Sequence, residues 1–403
     1  MHHFQNMVFL NKIGLLRFFS AILICILTGA EMDLFTPSFP ELTKVFNLTP
    51  FMVQLTLSLN FISYCICCLF VGPLGDRYGK RPLILFGLSI FVGGSLLCVL
   101  APSFHILLLG RCLQGIGISG PAVLCYIIVL DQCPVQKKPA ILGLLDGMTN
   151  LAIAFSPIIG SYVNFYFSWQ ANFIILLILG AICWFFSYLS LPHQKKNLTI
   201  DLSLRAYSPL LKSQRIWAFV LVLCLLETPY WIFSGISSLL YIESMHVNLK
   251  DFGFYQGIIG LVYSVLCILS FYLFKKLGYK FCFYTGIISC SFGASFLMGI
   301  ALLNIQTPWL ITGGMIFLVA GIVFPVNIFY PFTIDLFTHM AARTAAFILC
   351  MRLVATAFLL ELVSGFYAER FFPIGLTFFL MMLMALFLIQ KIIRSKWIVL
   401  KGK

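Results

Sequence analysis

The stretch Gly72-Pro73-Leu74-Gly75-Asp76-Arg77-Tyr78-Gly79-Lys80-Arg81 joins two long apolar runs, near 51–71 and 82–101. It gathers Arg77, Lys80 and Arg81 around a single carboxylate, Asp76. Between apolar runs of this length, that composition reads as a short basic turn linking two helices. Gly75 and Gly79 allow a positive φ and a close approach of neighbouring helices, and Pro73 and Pro82 are expected to mark the helix boundaries. A generic loop on the positive side of a membrane would explain the cations but not the ordered Gly, Leu, Asp and Gly.

The rest of the composition agrees with a membrane setting. The chain has 403 residues, 61% hydrophobic and 10% charged, where soluble domains carry about 25% charged residues. Its mean hydropathy is +1.03. No polar stretch longer than the one around 193–215 leaves room for a separate soluble domain. The net charge of +13 is a product of loop topology and not a nucleic-acid footprint. Nearly all of the 14 cysteines lie in apolar runs and read as small buried hydrophobes. Cys65-Ile66-Cys67-Cys68 lacks the His or carboxylate that a metal site would add, so neither metal nor cofactor is expected. The first apolar run, from about Arg17, is longer than a signal-peptide core and holds Glu31 and Asp33, so it is expected to remain as the first span.

Apolar runs of about 20 residues, enough to cross a hydrocarbon core as helices, recur near 18–40, 51–71, 82–101, 105–131, 140–164 and 170–191. A second set follows near 216–242, 254–274, 281–304, 308–334, 344–367 and 373–393. The expected fold is an all-α membrane protein of twelve transmembrane helices. Residues 1–191 would form one six-helix bundle, 192–215 a cytoplasmic linker with Lys195, Lys196, Arg205, Lys212 and Arg215, and 216–403 a second bundle. With both termini inside, only Lys44, Lys250 and Arg370 fall in outer loops, so lysine and arginine bias places both termini in the cytoplasm. Pro121, Tyr126 and Asp131 are spaced as Pro325, Tyr330 and Asp335 are, and Lys275-Lys276-Leu277-Gly278-Tyr279-Lys280 stands where the first basic turn stood, without its acid. Two facing repeats would put a substrate site between them near the midplane.

A charge at a helix centre costs about 2.5–3.5 kcal/mol on insertion scales, so each one calls for a role and a partner. The candidates are Glu31, Asp33, Arg111, Asp146, Glu227, Arg352 and Glu361. Counting about 1.5 Å per residue puts Asp33 and Arg111 at similar depth, which predicts an Asp33–Arg111 ion pair broken and remade as a cavity opens. Glu31 lies about 200° around the helix from Asp33, so the two cannot face one cavity. Glu227, near the middle of the seventh span and just before Pro229, lies in the repeat partner of the first span. Two acids from symmetry-related helices would then face one cavity as proton carriers. Asp146, near the inner end of the fifth span, reads as a structural or gating charge. Glu361 and Arg352 either pair with other helices or line the cavity. Tyr64, Tyr126, Tyr230, Trp231, Phe324 and Tyr330 are candidate lining aromatics, although at 16% aromatic most such residues serve packing or interfacial belts.

The pattern Gly72-x-Leu74-x-Asp76-Arg77-x-Gly79-Lys80-Arg81 resembles the loop between helices 2 and 3 of the major facilitator superfamily. Glu31-Met-Asp33-Leu-Phe-Thr-Pro37-Ser-Phe-Pro40 is similar to the first-helix signature of its twelve-helix drug/proton antiporters, most like the bicyclomycin-resistance type. Leu109-Gly-Arg111-Cys-Leu-Gln114-Gly115 resembles their fourth-helix pattern, whose arginine the family associates with proton coupling. The fifth-helix antiporter pattern looks like Gly143, Ala152, Ser156-Pro157 and Gly160-Ser161, with two expected glycines replaced; Trp169-Gln170 departs from the family's Trp-Arg. The resemblance implies that the two bundles are pseudo-symmetric halves of the major facilitator fold. It also implies that Asp76, Lys80 and Asp131 form a cytoplasmic gating cluster alongside Gly72, Arg77, Gly79 and Arg81. On this reading Asp33, Arg111, Glu227 and Glu31 carry proton coupling, while Tyr126, Tyr230, Tyr330 and Glu361 face the substrate.

The resulting expectation is a proton-driven exporter of small amphipathic molecules, monomeric and resident in a bacterial inner membrane. Its partners would be cargo, protons and lipid, with no nucleic acid. Arg111 and Arg352 would instead suit a siderophore or another carboxylated metabolite, and a proton-coupled nutrient importer has the same fold. An intramembrane enzyme is disfavoured, because His2, His3, His105, His193, His246 and His339 fall at ends and loops. No Walker-type loop accompanies them, which excludes ATP-driven pumping.

Overall fold

The computed structural model describes residues 12–130, 138–192, 207–337, 340–367, 369–395 and 397–398. Among them twelve helices are long and apolar enough to cross a membrane. We label these α1 Lys12–Asp33, α2 Pro50–Tyr78, α3 Lys80–Val99, α4 Phe104–Leu130, α5 Lys138–Tyr166 and α6 Trp169–Ser190. The second half has α7 Gln214–Ser238, α8 Leu249–Leu277, α9 Tyr279–Leu302, α10 Pro308–Asp335, α11 Ala341–Gly365 and α12 Phe372–Arg394. No strand occurs among the described residues.

Local chemistry sets the helix limits. Thr49 accepts a hydrogen bond from the Met52 amide at 3.2 Å and Pro50 opens α2, a favoured N-terminal pairing. Asn248 caps α8 in the same way, accepting from the Lys250 amide at 3.2 Å. After Asp33, α1 tightens into a 3-10 turn at Thr36–Ser38 and resumes as the short helix Phe39–Phe46, where Pro37 and Pro40 prevent a regular ladder. Large apolar side chains such as Phe86, Ile288, Phe358 and Phe387 stand exposed on the outer surface, as expected where acyl chains would cover them.

Pro73 does not end a helix, contrary to the sequence reading. The helix α2 runs through it to Tyr78, since a proline inside a membrane helix is tolerated where neighbours pack around the freed carbonyl. The expected turn is reduced to Gly79 alone, whose φ of 95° and ψ of 146° are open to glycine and strained for other residues. Gly278 makes the same corner between α8 and α9, with φ 87° and ψ 151°. Gly75 is helical, and its role is close approach: a Cβ there would sit 2.9 Å from Leu124 Cδ2 of α4.

The internal repeat is visible in packing as well as in spacing. A Cβ on Gly87 of α3 would lie 2.6 Å from the Gly117 carbonyl oxygen and 2.8 Å from Pro121 Cδ of α4. On Gly286 of α9 it would lie 2.7 Å from the Gly321 carbonyl oxygen and 2.9 Å from Pro325 Cδ of α10. Both pairs bring backbones together through small residues, the usual device of membrane helices. The structure is therefore all-α, with two similar six-helix halves that meet mainly through α5 against α8 and α2 against α11.

Candidate functional site

A cavity of about 1450 Å³ lies between the halves. Its walls come chiefly from α1, α4 and α5 on one side and α7, α8, α10 and α11 on the other. It reaches Leu142, Gly143, Phe274, Tyr279 and Ile398, beside the helix ends that carry Lys80, Arg81, Lys275, Lys276 and Lys280. We call this the basic face. At the far face the halves are packed shut. A Cβ on Gly253 of α8 would lie 2.7 Å from Ile158 Cα of α5, and one on Gly260 would lie 2.9 Å from Ala154 Cα. Gln54 of α2 donates to the Gly235 carbonyl of α7 at 2.8 Å. Lys250 donates to the Tyr166 hydroxyl at 3.1 Å, with its ammonium 4.0 Å from the centre of the Phe165 ring.

Among the described residues two ion pairs join intramembrane charges, Asp33 stands as a carboxyl between the halves, and Asp146 and Glu361 lie outside either pair. Arg111, fully buried, donates to Glu31 Oε1 at 3.1 Å, to Gln114 Oε1 at 2.6 Å and to the Thr56 carbonyl at 3.2 Å. Its guanidinium lies 4.1 Å from the centre of the Phe35 ring, and Asn60 donates to the same Glu31 oxygen at 2.6 Å. This knot ties α1, α2 and α4 within the first half. The expected Asp33–Arg111 pair is thus replaced by Glu31–Arg111, because the two-residue step turns Asp33 away from α4 and towards α7. There Ser234 donates a hydrogen bond to Asp33, and Tyr230 stands beside the same carboxyl.

Glu227 of α7 and Arg352 of α11 form the second ion pair, and both line the cavity. Asp33 does not line it, but Tyr230 does, so the carboxyl stands one side chain behind the wall. Of the other expected lining residues, Tyr64, Tyr126, Tyr230, Trp231 and Tyr330 are in place. Phe324 packs instead against Phe274, with ring centroids 6.0 Å apart. Glu361 is corrected too: nine residues beyond Arg352 it has passed the cavity and faces Ser58 of α2.

The fifth-helix residues serve contact. Gly160 lets the Leu34 carbonyl, just past the end of α1, approach so closely that a Cβ would overlap it. Pro157 presents its carbonyl to Gly253, Ser156 returns a 2.6 Å hydrogen bond to the Ala152 carbonyl, and Gly143 stands at the mouth. Arg81 donates to the Tyr188 carbonyl of α6 at 2.8 Å, and Arg77 lies 5.4 Å from the Tyr78 ring centre. Asp131 and the side chain of Asp76 lie outside the described residues, so the expected gating cluster has no geometry here. Sequence reasoning missed Tyr263, Asn150 and Asn327 as lining residues. Asn150, four residues after Asp146, was findable as a helical neighbour on the same face; the other two carried no signal in an apolar helix.

Two bundles of membrane-crossing helices around one central, one-sided cavity are the architecture of a polytopic solute transporter. A family model of the Major Facilitator Superfamily matches residues 21–360, and the chain belongs to that superfamily, whose members are transporters and not enzymes. An uncharacterized transporter of Rickettsia felis is 25% identical over 63% of this chain and 64% of its own length. Multidrug resistance protein MdtL of Salmonella dublin is 28% identical over 39% of this chain and 40% of its own. The chain therefore aligns with less than two-thirds of the length of either relative. Among solved structures, a point-mutant form of the nucleoside transporter NupG superposes with a TM-score of 0.71 at 14% identity, covering 96% of this chain and 100% of that one. A D-xylose–proton symporter gives 0.71 at 15% identity over 93% and 97%. These two likenesses establish the fold.

Proposed function

We propose that this transporter exports small amphipathic molecules across a bacterial inner membrane in exchange for protons, by alternating access, with the basic face and both termini in the cytoplasm. The partial likeness to a multidrug resistance protein supports the cargo class. The observation that carries the coupling is Tyr230, which lines the cavity and stands beside the buried Asp33 carboxyl behind it. An ionised carboxylate only accepts, as Asp33 does from Ser234, whereas a protonated one gains an O–H donor that must find an acceptor among its neighbours, Tyr230 included. Cargo pressing on Tyr230 and a proton arriving at Asp33 therefore disturb the same contact between α1 and α7. Glu227 offers a second such link, because its protonation releases Arg352 within the cavity.

The test is reconstitution of the purified protein in vesicles with an internal pH dye, comparing the wild type with Asp33→Asn and Glu227→Gln. Cargo-driven proton movement that either change abolishes supports antiport. Cargo movement without proton flux, or wild-type flux in both variants, overturns the coupling. A second reading, export of a siderophore or other carboxylated metabolite, is favoured by the presence of Arg352 in the wall and requires that it leave Glu227. In the same vesicles, carboxylated compounds alone would then drive the signal.

A further inference from the structure

The charges in the cavity wall do not balance. Among the described lining residues Arg352 is the sole cation, against the carboxylates Glu227, Asp146 and Asp335. Glu227 holds Arg352 in a direct ion pair. Asp335 sits at the last turn of α10, near the mouth. Asp146 projects into the cavity from the interior of α5, too far from the helix start to cap it. Its Oδ2 accepts from Asn150 Nδ2 at 3.4 Å, a long contact, and Arg352 acts on it only through space.

Three tyrosines stand within electrostatic reach of Asp146, each from a different helix: Tyr126 of α4, Tyr263 of α8 and Tyr330 of α10. Tyr126 is fixed by a 3.2 Å hydrogen bond with Thr149, and Tyr230 stacks on Tyr263 with ring centroids 6.0 Å apart and planes 15° apart. A carboxylate exposed in the cavity without a close cation, with tyrosines from three helices in electrostatic reach, is complementary to an organic cation. The carboxylate takes the charge and the rings take both the charge and the apolar body. An anionic cargo meets the opposite balance, since the lone arginine is already neutralised.

We propose that Asp146 is a specificity-determining residue of the cavity, holding the charged head of a monocationic amphipathic cargo against Tyr126, Tyr263 and Tyr330. The assignment rests on the reading of this cavity as the cargo site, and it narrows that cargo to organic cations. It also gives the cargo a mechanical role. Asp146 and Tyr126 belong to the first half, Tyr263 and Tyr330 to the second, so a bound cation bridges the two near the open mouth.

Tetraphenylphosphonium and tetraphenylborate, nearly identical in shape and opposite in charge, test this directly. Binding of each to the purified full-length protein in nanodiscs is read by equilibrium dialysis, after subtraction of empty nanodiscs. The wild type should bind the phosphonium at least about tenfold more tightly than the borate. Asp146→Asn should lose about tenfold or more of phosphonium affinity, Asp146→Glu should keep most of it, and Asp251→Asn, on the exposed start of α8, should bind as wild type. Equal binding of the two ions, binding of neither by the wild type, or undiminished phosphonium binding by Asp146→Asn overturns the assignment. If Asp146→Asn does not fold, the charge preference of the wild type and the affinity of Asp146→Glu decide. No proton gradient is applied, so loss of proton antiport with phosphonium binding intact would remove the coupling mechanism and leave this site standing.

Discussion

Arg111 has its charge met by Glu31, with Nη1 also donating to Gln114 and Nε to Thr56, and its guanidinium lies over the Phe35 ring, while Nη2 has no hydrogen-bond partner. Neither partner of this pair touches water. Removing one member of such a pair leaves an uncompensated buried charge, at a cost of about 3–5 kcal/mol, whereas replacing both can be close to neutral. Glu31→Gln and Arg111→Gln should therefore each lower the melting temperature in detergent sharply, and the double substitution should recover much of the loss. Additive losses would mean that the two do not act as a pair. Lysine should not replace Arg111, because it cannot reach Glu31, Gln114 and Thr56 from one planar group. At this scale the sequence was informative about which residues matter and weak on who meets whom. Rise per residue put Arg111 level with Asp33, and the structure pairs it with Glu31 two residues earlier; two carboxyls on one turn differ chiefly in azimuth. Azimuth depends on where α4 and α7 pack, which no single helix encodes.

Between elements, the seam of α8 on α5 is made by Gly253, Gly257 and Gly260, whose missing side chains admit Pro157, Ile158 and Ala154. Because these glycines are helical and not in positive-φ positions, a larger residue there is tolerated by the helix and refused by the partner. Gly253→Val should wedge the far face apart without unfolding either half. Spin labels at Asn47 and His246, exposed in far-face loops of the two halves, should report a longer distance in a cysteine-free background. An unchanged distance distribution would show that the seam does not hold the closed state. The spacing of small residues in α5 announced a packing surface, and that much was legible. The partner was not: α8 carries the Gly253-x-x-x-Gly257 spacing of a close-packing face, but that spacing does not say which helix it will meet, and α5 lies about a hundred positions earlier. The proline rule failed at Pro73 for a related reason: the breaking tendency of proline is a property of isolated helices in water, and α2 is supported on both sides.

For the whole molecule, the structure is open at the basic face and shut at the other, with Gln54 on Gly235 and Lys250 on Tyr166 joining the halves across the closed end. A net hydrogen-bond contribution of about 1 kcal/mol each makes the pair worth a tenfold or larger shift in the ratio of open to closed far face. Gln54→Leu with Lys250→Ala should accordingly speed hydrogen exchange in residues 234–246, and protection equal to wild type would place the seal elsewhere. Two halves of six helices and a cavity between them could be read from run lengths and from the recurrence of Pro121 and Tyr126 at Pro325 and Tyr330. The one-sidedness of the cavity could not, because both states of an alternating machine share one sequence.

Gly79 and Gly278 add a constraint on how that alternation proceeds. Each is a corner of a single residue, and each joins two helices more than 25 Å long with no slack between them. A hinge needs several residues over which to spread its rotation, and these corners have none. The α2–α3 and α8–α9 pairs are therefore levers with fixed elbows: displacement at one end of α2 or α8 is delivered undiminished to its partner. The rearrangement that closes the mouth must be taken up along the sliding seams between the halves, while the corners keep their shape throughout the cycle.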